Sequence, residues 1–276
     1  MNVIQNLHED VYKRWFRFVN FIPKRIRIVI ATGVMTLVFL LSTFFSFGDT
    51  WWMFIFLIGA AAYLTAYLAI FEGIDKVEWY MLFIMPILFT LAAYLFYFLL
   101  PVRWLTRLPF VILFALVYYA ILLTENIFNI GVEKSLQLYR AAFSVNYLLH
   151  VLVMLLLMQV VFSFKLHAFV NVFIVFIIAL LLSIQLYWTV KPDAKFDKNL
   201  FLYCASTAIL LSEVVTILSF VPFKTNVASL VVTTIYYSLT GILYHHFDGR
   251  LFRNVIREYL FVAFFVFFIA FLTLRW

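Results

Sequence analysis

Residues 200–221 read LFLYCASTAILLSEVVTILSFV. The run is long enough to cross roughly 30 Å of hydrocarbon as a helix, and it holds a single carboxylate, Glu213, well inside. A charge at that depth is costly unless it faces the protein interior and finds a partner, so the sequence predicts that Glu213 points inward. Span-length apolar stretches of this kind recur along the whole chain, and they decide the fold class.

Composition agrees with that reading. Hydrophobic residues make up 67% of the 276 positions, charged residues 12%, and Phe alone accounts for 35, more apolar surface than a water-soluble domain can bury. The expected fold is all-α, a polytopic bundle of about nine transmembrane helices near 26–47, 51–71, 79–100, 108–128, 141–163, 167–188, 199–220, 225–245 and 255–274. A membrane barrel is excluded because the runs lack polar alternation, and backbone groups in lipid need partners inside the segment. Residues 26–276 thus read as one transmembrane domain. No connection is long enough for a second domain, and no internal repeat is visible.

Residues 1–25 read differently. Ile4, Leu7, Val11, Trp15, Phe18 and Ile22 recur at three- and four-residue steps, opposite Glu9, Asp10, Lys13, Arg14, Arg17 and Asn20. This predicts an amphipathic helix in the headgroup plane, followed by the basic cluster Lys24, Arg25 and Arg27.

The formal charge of +7 could suggest nucleic acid, but the basic residues sit in the breaks between apolar runs. With nine spans, all but Arg103, Arg107, Lys165, Lys224 and Arg275 of the 20 Lys and Arg fall on one side. The positive-inside rule places the N-terminus in the cytoplasm and the C-terminus outside a cell membrane. The lone Cys204 lies inside a span and reads as a small buried apolar residue. In the second span Gly59, Ala62, Ala66, Ala69 and Gly73 form a seam of small residues along which a neighbouring helix can approach closely.

Four segments carry a family resemblance: Pro101 to Pro109 with its two arginines and Trp104, Thr124-Glu-Asn-Ile-Phe-Asn129, Tyr139-Arg-Ala-Ala142, and His245-His-Phe-Asp-Gly-Arg250. Together they resemble an uncharacterised family of multi-spanning bacterial membrane proteins known as a domain of unknown function. The resemblance implies a bacterial inner-membrane setting and brings no activity, cofactor or binding residue.

Several polar constellations stand inside or beside the spans. Around Glu213, the eighth span offers Ser229, Thr233, Tyr236 and Thr240 at helical spacing, and Arg103, Arg107 and Lys224 are the cations that could answer an ionised carboxylate. Glu125, near the end of the fourth span, reads as a cap or as an ion pair with headgroups or a loop arginine. Asn146 and His150 lie four apart on one face of the fifth span and read as an interhelical hydrogen bond or, less simply, a proton-carrying histidine. His245, His246 and Asp248 resemble metal ligands. Adjacent histidines on a helix diverge by about 100°, however, so without unwinding at Gly249 they cannot share an ion. They read as an interfacial turn, with Arg250, Arg253 and Arg257 facing anionic lipid headgroups.

No cofactor-binding motif or catalytic constellation stands out, which leaves enzyme activity open without a candidate. The leading functional reading is a transporter or lipid-handling protein using a buried carboxylate in the seventh span. The alternative is a structural or assembly subunit in which Glu213 answers a cation on a membrane protein partner. Membrane lipids are the expected surroundings in both.

Overall fold

The computed structural model describes residues 23–45, 51–71, 80–101, 103–130, 136–190, 198–249 and 251–273. The expected N-terminal amphipathic helix, Gly73 and Arg250 lie outside the described residues. Among these there are nine helices and no strands: α1 (Lys24–Ser42), α2 (Trp51–Ile70), α3 (Met81–Tyr97), α4 (Trp104–Ile130), α5 (Leu136–Ser163), α6 (Ala168–Trp188), α7 (Lys198–Leu218), α8 (Thr225–Phe247) and α9 (Arg253–Leu272). They stand where the nine apolar runs predict them. Eight are long and apolar enough to cross a membrane, and α3, at 17 residues, is shorter. The chain is therefore a multi-pass, all-helical membrane protein, as its apolar periods require.

Serine and threonine hydroxyls inside the spans mostly donate back to their own helix. Thr32 donates to the Ile28 carbonyl, Thr90 to Pro86, Ser212 to Ala208, Thr216 to Ser212 and Ser229 to Thr225, all at 2.7–2.8 Å. In hydrocarbon this is the simplest way to satisfy a hydroxyl, and it leaves those groups little to offer a neighbour.

Helix α5 is the hub of the bundle. It packs against α3, α4, α6 and α8, joining an N-terminal group of helices to a C-terminal one. In the first group the small seam of α2 behaves as expected, with Ala62, Ala66 and Ala69 fully buried. The close approach lets Tyr118 of α4 donate to the Ala62 carbonyl and share a 2.8 Å hydrogen bond with Thr65. Stacked Phe39 and Phe114, 4.1 Å apart, fill the space between α1 and α4. In the second group α6 and α7 form the most extensive pair, while α9 packs chiefly on α8. Helix α9 exposes Phe261, Phe264, Phe265, Phe268 and Phe271 and buries only Ala270, the pattern of a helix bathed in lipid.

The ends of α2, α4, α6 and α8 and the starts of α1, α5, α7 and α9 share one face. Arg27 lies over the Phe71 ring there, Asn129 donates to the Ile70 carbonyl, and Tyr203 meets Phe247. At that face Gly249, with φ +69°, closes α8 in the left-handed conformation that a residue without Cβ adopts at no cost.

Candidate functional site

A fully buried polar cluster is built by α4, α5 and α6. Glu125 lies five residues before the end of α4, about 8 Å along the axis, and is 0% exposed. Its Oε1 accepts a 2.6 Å hydrogen bond from Nε2 of Gln185, one of the few polar residues in the apolar run of α6. The Gln185 amide also lies alongside His150 of α5, itself fully buried, whose Nδ1 bonds the Asn146 carbonyl one turn earlier at 2.8 Å. No hydrogen bond joins Gln185 to the imidazole: Gln185 Oε1 and His150 Nε2 are both without a partner among the described residues.

The cluster is polar beyond what its own bonds satisfy. Among the described residues, Glu125 Oε2, Asn126 Oδ1 and both polar atoms of the Asn146 side chain are buried without a hydrogen-bond partner. Buried polar atoms in folded proteins are nearly always paired, so these orphans mark residue types that packing alone does not decide. No Lys or Arg forms an ion pair with Glu125 among the described residues. In such surroundings a carboxyl is stable when it carries a proton or holds a cation, and a bare charge is strongly disfavoured.

Tyr139 of α5 packs edge-on against Phe128 of α4, donates its hydroxyl to the Thr189 carbonyl at the end of α6, and stands within electrostatic reach of Glu125. Its other side lines a cavity of about 520 Å³ between α5, α8 and α9 that opens at the face described above.

The structure corrects three of the sequence expectations directly. Glu213 does not point inward. The buried face of α7 is formed by Cys204, Thr207, Ala208, Leu211, Ser212 and Val215, and Glu213 is exposed on the outside with Ile209, Leu210 and Ile217. A residue two positions from Leu211 is rotated about 200° from it, so the small-residue seam that packs against α6 turns the carboxylate away. Ser229, Thr233, Tyr236 and Thr240 are buried on α8 as expected, but they do not meet Glu213. Ser229 and Thr240 donate to their own helix, while Thr233 Oγ1 and the Tyr236 hydroxyl are without partners among the described residues.

The second correction concerns Glu125, which neither caps its helix nor pairs with a loop arginine. It is wholly inside the bundle and bonded to Gln185. The Asn146 and His150 pair likewise gives a bond within α5 instead of one between helices.

Of the remaining candidates, Arg103 is exposed, and Arg107 is buried against Thr43 and Tyr97 at the opposite face, where its partners are a carbonyl and a hydroxyl and not a carboxylate. His245 and His246 both remain inside the last turn of α8, and so diverge. His245 lies against Tyr244 and Tyr259 and lines the cavity with Asp248, whereas His246 faces Tyr203 and Phe247. Sequence reasoning misses Gln185 and Tyr139. The signal for Gln185 is its isolation: an amide in an apolar span is costly without a partner.

Comparison with known proteins bears on the whole of this domain. A family described as "Protein of unknown function (DUF5656)" matches residues 32–273, which takes in every helix described except the first turns of α1. The chain belongs to this family. Its helices, including all three that carry the Glu125 cluster, fall within the match, so the cluster is part of the family's own domain and not an appendage to it. No curated protein and no solved structure matches the chain.

Proposed function

We propose that this DUF5656 protein is a transporter of a small solute or lipid in which Glu125 is the group that carries a proton or a monovalent cation. The observation that carries the reading is the fully buried carboxyl of Glu125, bonded to Gln185 with the His150 imidazole nearby, toward the same bundle face as a cavity lined by Tyr139. Ionisable residues inside membrane bundles mark ion and substrate paths by default, and a carboxyl with an amide and an imidazole beside it can exchange one bound cation for another. In this reading Tyr139, which lines the cavity, moves to connect it with the carboxyl. On the positive-inside rule the cavity mouth and the N-terminus lie in the cytoplasm and the C-terminus outside, and a periplasm-active reporter fused after Trp276 should be active.

The test is charge displacement in proteoliposomes on a solid support, with a step in proton or sodium concentration applied. The wild-type chain should give a transient current, and Glu125→Gln, which keeps the shape and the hydrogen bond to Gln185, should reduce it at least about tenfold while melting within a few degrees of wild type. An equal current from the Gln variant would overturn the assignment.

A further inference from the structure

The cavity between α5, α8 and α9 has a chemistry of its own. Its floor and walls are aromatic. Phe143 stacks on Tyr244 with ring centroids 3.8 Å apart, Tyr147 donates to the Tyr237 carbonyl, and Tyr259 from α9 closes the far side. Its mouth is polar. Arg140 and Ser144, one turn apart on α5, line it together with His245. The Arg140 guanidinium forms no hydrogen bond or ion pair with the described residues, and His245 Nδ1 is buried without a partner among them. The one carboxylate of the lining, Asp248, is exposed at the rim and has interactions of its own.

We infer that this cavity binds the phosphate-bearing end of an amphiphile. The Ser144 hydroxyl already donates to the Arg140 carbonyl, so the guanidinium and the imidazole carry the recognition, and arginine presents paired donors that match phosphate oxygens. At about 520 Å³ the space suits a headgroup and its glycerol and is too small for whole acyl chains. Those chains have a path. Helix α9 borders the cavity through Tyr259 and, beyond the charged Arg257 and Glu258 of its first turns, is exposed along Phe261, Phe264 and Phe265, an apolar surface on which an aliphatic tail can lie. Basic pockets between helices at the membrane surface bind anionic headgroups on the same grounds. The inference is independent of the Glu125 reading, because it concerns equilibrium binding and holds whether or not anything is transported.

The experiment measures binding of fluorescent phosphatidylglycerol to the full chain in a non-ionic detergent. Saturable binding is expected, with Arg140→Gln weakening it about tenfold, the loss of one charge-assisted contact. His245→Gln should weaken it by a smaller factor. Arg103→Gln, an exposed charge outside the cavity lining and at the opposite face, should leave it within twofold. Competition by glycerol 3-phosphate as effective as by unlabelled phosphatidylglycerol would support the phosphate site and assign it to a soluble ester. Competition by the lipid alone assigns it to the headgroup. Wild-type affinity in both the Arg140 and His245 variants, or the absence of saturable binding to either probe, would overturn the inference.

Discussion

Arg107→Ala should cost about 3 kcal/mol of unfolding free energy, the largest loss expected from any single charge in the described bundle. The guanidinium is 8% exposed and ties three helices together at the face opposite the cavity. Its Nε donates to the hydroxyl of Tyr97, the last residue of α3, at 3.1 Å, and Nη2 donates to the Thr43 carbonyl at 3.0 Å. Thr43 is the C-cap of α1, so the cation satisfies a carbonyl left over at a helix end and lies where the helix dipole is negative. Phe44 and Trp104 cover the guanidinium, with its central carbon 4.3 and 5.0 Å from their ring centroids. Truncation therefore removes two charge-assisted bonds and the ring contacts together, and leaves the Thr43 carbonyl buried. Lysine should recover less than half of the loss, because a point charge cannot reach both acceptors and stack at once. Denaturant unfolding in mixed micelles would measure this, with exposed Arg103→Ala as the control, for which a change within about 0.5 kcal/mol is expected. Equal losses at Arg103 and Arg107 would show that the pairing contributes nothing.

Gly241→Ala should be nearly as damaging, by about 1–3 kcal/mol, although it adds one methyl group. A Cβ at Gly241 would overlap two ring atoms of Tyr259 and stand 2.6 Å from the Tyr147 hydroxyl. Neither neighbour gives way freely. Tyr147 donates to the Tyr237 carbonyl, and Tyr259 is held by its ring contact with Tyr237 and by Ser238 bonding its carbonyl. What can move is α9, which packs chiefly on α8, so the substitution should push α9 outward and deform the cavity. A double-mutant cycle with Tyr259→Ala tests the mechanism. Tyr259→Ala removes the ring and should absorb most of the Gly241→Ala cost, giving a coupling of more than about 1 kcal/mol. Additive losses would mean that the clash is relieved elsewhere. By contrast, a methyl group at Gly33 would meet no atom within 4 Å, and alanine there should be tolerated without loss.

These two positions show how unevenly the sequence reports on its own structure. Arg107 reads as a candidate counter-ion for Glu213 because both are charged and fall on the same side of the membrane. In the folded chain it serves a helix end and two aromatic rings. Nothing local distinguishes the two uses, since the Thr43 carbonyl is 64 positions away. Gly241 carries no signal at all, because its importance lies in rings brought to it from α5 and α9.

The sequence by itself determined the class, the placement of nine helices and the small seam of α2. Each of these follows from local physics: hydrocarbon thickness sets the run length, the backbone must close its bonds within the segment, and small residues at three- and four-residue steps share one face. Only the tertiary structure decided which face of each helix points inward. In a water-soluble protein the apolar side of a helix is the inner side, but here Ile209, Leu210 and Ile217 on the outside of α7 are as apolar as Leu211 and Val215 within it. Hydropathy therefore gives no direction, and only the cost of a charge in lipid argues for an interior Glu213. The same loss of contrast hides Gln185, whose partner Glu125 lies 60 residues away and is brought to it only by the packing of α4 and α6 around α5.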